Sequence, residues 1–393
     1  MTISTLIHAA LLRSLLVGFL LALTACGGGV EVGGTGTGAY VQGPISGFGS
    51  IIVAGVRFDE SGASIEDPDG VVRLRQDLRL GMLVEVESGP IGDDGSGRAA
   101  TATRVRLASK LLGPLSQADL ASSRLVVLGQ PVRLTTTTVV DGVAGGVASL
   151  QLGNVLEVHG FYAPDEGYIA TRVERRTTPA MTFRVRGQVR DLDTNGKTLR
   201  IGSQGFELSA TGVPSGLANG QFVRLTLQTA QVGGRWPVIA VVVETPSAGD
   251  RDEAEVEGLI SAFTTASAFS VNGVRVDAAA ANFVDGSAGL RVGVRVKVRG
   301  RSQAGVLVAT TVDIRSDDDA FSEGVEIRDA IGSVDAAAQT FKLRGITVFY
   351  GNSPRFDNGT AADLAPTRRV RVRGNVSADR TRVVATRIEF VSN

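Results

Sequence analysis

Histidine, cysteine and clustered carboxylates do much of protein chemistry, and this 393-residue chain has two histidines and one cysteine. His8 falls in an apolar N-terminal stretch, so a Ser-His-Asp triad or a multi-histidine zinc site would have to be built on His159 alone. That residue alternates with Val158 in Leu156-Glu157-Val158-His159, which gives it an exposed strand position. No Gly-x-Ser-x-Gly elbow, P-loop or dinucleotide fingerprint stands in a strand-to-helix context. Asp191-Leu192-Asp193-Thr194-Asn195-Gly196 opens like a calcium loop. The twelfth position, where a bidentate Glu completes the oxygen shell, is Gly202. Asn-Gly at that point serves a hairpin instead, and Asp317-Asp318-Asp319 reads as a solvated linker. The residues therefore point to no metal, no cofactor and no catalytic constellation.

Basic residues carry the strongest binding signal. Arg295, Lys297 and Arg299, and then Arg371 and Arg373, alternate with apolar residues, so each set lies on one face of a strand. A row of this kind grips phosphate or carboxylate groups by bidentate hydrogen bonds, and an anionic glycan or an envelope protein is the partner it suits. The same strand elsewhere in the chain reads Val84-Glu85-Val86-Glu87, so a plain solvent-facing role competes with this one. The 40 basic and 40 acidic residues balance, which leaves no overall footprint for nucleic acid. Phe161, Tyr162, Tyr168, Trp236, Phe349 and Tyr350 are scattered and suit core or turn packing better than a sugar-stacking platform.

The cysteine has a different chemistry. Residues 1–25 hold Arg13 and an apolar run from Leu15 to Leu23, too short to cross a bilayer core of about 30 Å, and they fit a cleaved signal peptide. The ending Leu23-Thr24-Ala25-Cys26 resembles a bacterial lipobox. That resemblance implies lipidation of the Cys26 thiol and membrane attachment through acyl chains, and the absence of Asp after Cys26 favours the outer membrane over the inner; the periplasmic face is the expected side. Residues 26–42, rich in Gly and Thr, form a flexible tether.

Beyond the tether one pattern recurs. Leu78-Arg79-Leu80-Gly81, Leu150-Gln151-Leu152-Gly153, Leu217-Ala218-Asn219-Gly220 and Leu290-Arg291-Val292-Gly293 are followed by Leu364-Ala365-Pro366-Thr367, which lacks the glycine; successive anchors lie 72, 67, 73 and 74 residues apart. A fixed period of this length marks an array of similar modules. Each module has an early strand, a hairpin such as Val271-Asn272-Gly273-Val274, the anchor with its alternating strand, and a closing strand beginning near Ala102, Ala170, Ala240, Ala309 or Ala385. The expected fold is all-β: five small barrels like the oligonucleotide/oligosaccharide-binding (OB) fold, over 43–108, 111–176, 183–245, 255–315 and 324–391. Polar linkers such as 246–253 imply beads on a short string.

This order of motifs resembles tandem copies of the bacterial domain of unknown function numbered 5666. Glu257-Gly258-Leu259-Ile260, Val271-Asn272-Gly273-Val274, Leu290-Arg291-Val292-Gly293 and Ala309-Thr310 carry the resemblance best. Modules one, two and four fit most closely, and the fifth lacks two glycines. The resemblance implies a secreted or lipid-anchored envelope protein and carries no catalytic residues with it. The resulting expectation is a non-enzymatic binding or scaffolding array. A structural spacer is the alternative, and a hydrolase of envelope polymers is the least favoured.

Overall fold

The computed structural model describes residues 38–391 apart from 96, 110, 165 and 317–323. The expected signal peptide over residues 1–25, Cys26 and the Asp317–Asp319 cluster lie outside the described residues. Strand pairings close five circuits, and all five have the same order. In module 1, Ala39–Phe48 pairs antiparallel with Ile51–Val53, which pairs with Val56–Asp59. That strand runs parallel to Arg98–Leu107, which pairs with Leu83–Ser88, and Leu83–Ser88 returns to Ala39–Phe48. This is the OB strand order, with a single 3₁₀ turn (Arg75–Asp77) where that fold commonly carries a helix. Closure leaves each barrel with one apolar interior, and the alternating residues supply it.

The recurring anchor is a clasp. Gly81 N–H donates to Ile45 O (2.8 Å) and Ile45 N–H to Met82 O (2.9 Å). The same pair of bonds joins Gly153 to Leu115, Gly220 to Val189, Gly293 to Ile260 and Thr367 to Ile331. At each anchor the backbone turns left-handed (φ 78°, 84°, 87°, 83° and 69°), which explains four glycines and makes Thr367 the costly member. The hairpins follow the same logic. Ala54-Gly55, Leu128-Gly129, Asn272-Gly273 and Arg344-Gly345 all have two positive φ angles, the geometry of a type I′ turn.

The barrels are docked, which corrects the beads-on-a-string expectation. Strand Ala39–Phe48 is the hub. It adds in parallel to Arg251–Thr265 of module 4 (Val41 opposite Glu255) and to Val325–Ala330 of module 5 (Gly47 opposite Glu326). The strand starts at Ala39, inside the range read as tether, and Ala39, Tyr40, Val41 and Gln42 are all buried. Modules 1 and 5 share one apolar core, and modules 2 and 3 share another. Leu83, Ala108, Phe161, Ala163, Ile169 and Leu259 fill the junction of modules 1, 2 and 4. Barrels of about 65 residues are marginal alone, so burying their sides against one another supplies the missing apolar area.

His159 is fully buried, not exposed: its Nδ1 accepts the Leu83 N–H (3.3 Å) in the interface between modules 1 and 2. The calcium-like stretch forms a hairpin turn, in which Asp193 Oδ1 accepts the N–H groups of Asn195 and Gly196 at 3.0 and 2.8 Å. Module 3 differs from expectation in register. Val238, and not Ala240, is opposite Leu227 at the place where Ala102 is opposite Ser88, so the closing strand runs two residues out of step with its sequence pattern.

Candidate anion-binding cleft

The two arginine rows sit on equivalent strands, Arg295–Gln303 in module 4 and Arg369–Val376 in module 5. Opposite them in the first strand of each barrel stand Glu255 (across from Arg299) and Glu326 (across from Arg373). Each carboxylate collects three bases. Glu255 takes Lys297 at 2.9 Å, Arg299 at 3.2 Å and Arg98 of module 1 at 2.7 Å. Glu326 takes Arg373 at 2.8 Å, Arg371 at 3.7 Å and Arg57 of module 1 at 3.3 Å. Burial acts to raise the Glu255 pKa, but Lys297, Arg299 and Arg98 outweigh it and hold the carboxyl below its ordinary range. The same arrangement thus clamps modules 4 and 5 to module 1.

This corrects the expected contact row. Arg295 and Lys297 are 2 % and 5 % exposed and face neighbouring modules, not solvent. Lys297 Nζ donates to Ala54 O of module 1 (2.6 Å), and Arg295 pairs with Glu257 while lying over the Phe161 ring of module 2 at 5.0 Å. Arg299, Arg371 and Arg373 reach the surface but are engaged by Glu255, Glu326 and, for Arg371, Glu389. An isolated strand pattern gives no sign of this, because a row built for a partner and a row built for a sister module look alike.

One pair in the comparison fails to match. In module 4, Arg295 is neutralised by Glu257. Register places Arg369 of module 5 where Arg295 stands, and Arg328 where Glu257 stands. Both are exposed, and among the described residues neither has a carboxylate partner. They line a cleft of about 540 Å³ between modules 1 and 5, together with Arg75, Arg79 and Arg344. Asp329 is the one acid in its lining, and it is occupied in part by the Ala330 N–H.

Each cation is positioned by a separate element. Arg75 begins the 3₁₀ turn before the clasp and is tied to buried Glu60 at 2.6 Å. Glu60 itself accepts the Ile51 N–H at 3.1 Å, so it serves as a strut behind the cleft. Arg79 lies inside the clasp and caps the Leu78 carbonyl at 3.1 Å. Arg344 occupies the first turn position of its hairpin, covers the Phe48 ring at 4.5 Å and donates to Arg75 O at 3.0 Å. Burial, with Arg75 and Arg79 beside it, lowers the Arg344 pKa against the pull of Glu60 and Asp329. A guanidinium remains charged even so. The cleft therefore concentrates positive charge with rigid forks aimed from several elements, which suits multivalent oxyanions.

Sequence reasoning missed Arg75, Arg79, Arg328 and Arg344, and it took Arg369 only as the start of the alternating row that holds Arg371 and Arg373. The available signal was Arg328, a base at the repeat position where module 4 has an acid; Arg75 and Arg79 join it only through docking.

No curated protein matches the chain. The model of a domain of unknown function (DUF5666) matches residues 113–174, 257–313 and 330–389, which fall in modules 2, 4 and 5. The fifth module, lacking two glycines, is thus among the matched regions, whereas the first, expected to fit well, is outside them. In the fifth module Thr367 adopts the left-handed turn of the missing glycine and keeps the clasp. The chain is an all-β array of OB-like barrels, and three of its repeated regions match this domain of unknown function.

Proposed function

We propose that the protein is a non-enzymatic, lipid-anchored protein of the bacterial outer membrane that binds an oxyanion-rich ligand in the cleft between modules 1 and 5. The observation that carries this reading is the substitution of Arg328 for the acid at the equivalent position of module 4, which leaves five arginines around one cleft. Phosphate, sulfate or uronate groups on an envelope glycan have the matching chemistry, since each presents a planar or tetrahedral array of acceptors to a guanidinium fork. A cleft of about 540 Å³ is within the usual 300–1,000 Å³ range for ligand sites. The lipobox-like ending at Cys26 supports the membrane attachment, and docked barrels suit a scaffold that must hold its ligand at a fixed place.

Calorimetric titration with a polyuronate oligomer and with inorganic pyrophosphate tests the site. Arg328→Gln with Arg369→Gln should weaken binding at least tenfold and reduce its salt dependence, and undiminished affinity in the double variant would end this assignment. Mass spectrometry of the mature N-terminus tests the anchor, with diacylglycerol on Cys26 as the expected result. The spacer reading has lost its main support, because docked barrels do not make a long rod.

A further inference from the structure

Four of the five barrels carry a short inserted strand beside the closing strand. Ser64–Glu66, the end of Gln130–Asp141, Asn282–Phe283 and Arg355–Asp357 each run parallel to it. In each, one apolar residue is in register with the same position of the closing strand. Ile65 is opposite Val105, Val140 opposite Val173, Phe283 opposite Val312 and Phe356 opposite Ile388. These four partners are at most 1 % exposed. The inserted residue plugs the barrel.

Module 3 has no such strand. By register its counterpart of Val105 is Val241, and pairing on that edge of Trp236–Glu244 stops at Pro237. Val241 is only partly buried, and Ile239, Val242 and Val243 are 42 %, 43 % and 39 % exposed. Val213 packs against the core from the corresponding loop, but Pro214 follows it. In module 4 the residue at that place, Val284, donates its N–H to Val312 O (3.0 Å). Proline has no N–H to give, so the loop lays a side chain over the slot without closing the ladder.

We infer that the open edge of module 3, from Ala240 to Glu244, is a docking slot for an extended peptide of a partner protein. The peptide adds parallel to the closing strand and exchanges its own apolar plug for Val213. The edge also specifies the peptide. In modules 1, 2 and 5 the residue after the plug is Glu66, Asp141 or Asp357, and each pairs with an arginine of the closing strand: Arg104 at 3.7 Å, Arg172 at 2.5 Å and Arg387 at 2.5 Å. Module 4 has Thr311 there, and its plug is followed by Val284. Module 3 has Ala240, so an acid after the plug would have no partner, and the fitting sequence is a large apolar residue followed by an uncharged one. Beyond the slot, a cleft of about 250 Å³ lined by Tyr40, Pro68, Arg106, Val242, Val243 and Glu244 leaves room for the chain to continue. This site is independent of the arginine cleft.

A synthetic peptide copying residues 277–286, which contain Asn282-Phe283-Val284, is a suitable probe. Fluorescence anisotropy should show saturable binding to the full-length protein, and hydrogen exchange should show new protection of the amides of Ala240–Glu244. Val242→Lys, at an exposed site, should weaken binding at least tenfold. Pro214→Val, which restores the missing N–H, should close the slot from within, with weaker peptide binding and a higher Tm. Absence of binding, or binding untouched in both variants, would overturn the proposal. So would sedimentation showing a dimer abolished by Val242→Lys, since a second copy would then be the occupant of the edge.

Discussion

At the scale of single residues, the clasp shows why particular positions tolerate little change. Gly81 has φ 78°, and a Cβ there would meet Thr171 O of module 2 at 2.6 Å. Gly81→Ala should cost roughly 1–3 kcal/mol in a chemical-denaturation experiment, from backbone strain with a clash added. Thr367 supplies the reverse test. It occupies the same left-handed turn with a β-branched side chain, so Thr367→Gly should raise stability by about 1 kcal/mol. Glu255 gives a pH test. Its carboxyl is held below the ordinary value, so its contribution is fully present above about pH 4.3, the unperturbed Glu pKa, and is lost as pH falls from there through the folded pKa. Glu255→Gln should therefore flatten the acid limb of a stability–pH curve. At neutral pH it should cost on the order of 3 kcal/mol, because Lys297 is left buried without its counter-charge.

At the scale of elements, the first strand of module 1 does two jobs. Residues 39–42 pair with Glu253–Val256 on one edge and with Glu85–Ser88 of their own barrel on the other, and residues 45–48 pair with Ile51–Val53 and meet module 5. Removing residues 38–42 should free module 4 and also loosen the module 1 barrel, because the same residues pair with Glu85–Ser88. Limited proteolysis should then cut within 246–253, which the docked protein protects through Arg251 on Glu87 (3.0 Å) and the buried Ala248. The recurring anchors and the hairpin turns were legible in the sequence, since each depends on a few consecutive residues. The closing strand of module 3 was not. Its Ala-Val-Val run imitates the Ala-Thr-Arg start of other modules, and only pairing with Thr226 and Leu227 reveals the shift of two residues.

At the scale of the whole molecule, docking changes what the array is. Compact-domain scaling gives a radius of gyration of about 20 Å for the 354 residues from 38 to 391, against roughly 40 Å for five barrels strung over about 140 Å. Small-angle scattering on a chain lacking residues 1–37 separates the two, and the smaller value is expected. The shared cores make the modules interdependent, so replacing module 5 with an unrelated barrel should uncover Phe48, which Arg344 covers, leave Arg57 without Glu326, and destabilise module 1.

The sequence alone determined the all-β class, the repeat of about 70 residues, the OB-like barrels and the glycine turns, because period-two alternation and positive-φ turns are local properties. Tertiary structure alone decided which charged residues face each other. Arg295 and Lys297 have the same alternation as an outward row, yet Glu255, Glu257 and the Ala54 carbonyl claim them. Arg328 and Arg369 were left to line a cleft because module 5 met module 1 without an acid at that register position. A charge is assigned its role by its neighbours in space, and those neighbours lie up to 269 residues away along the chain.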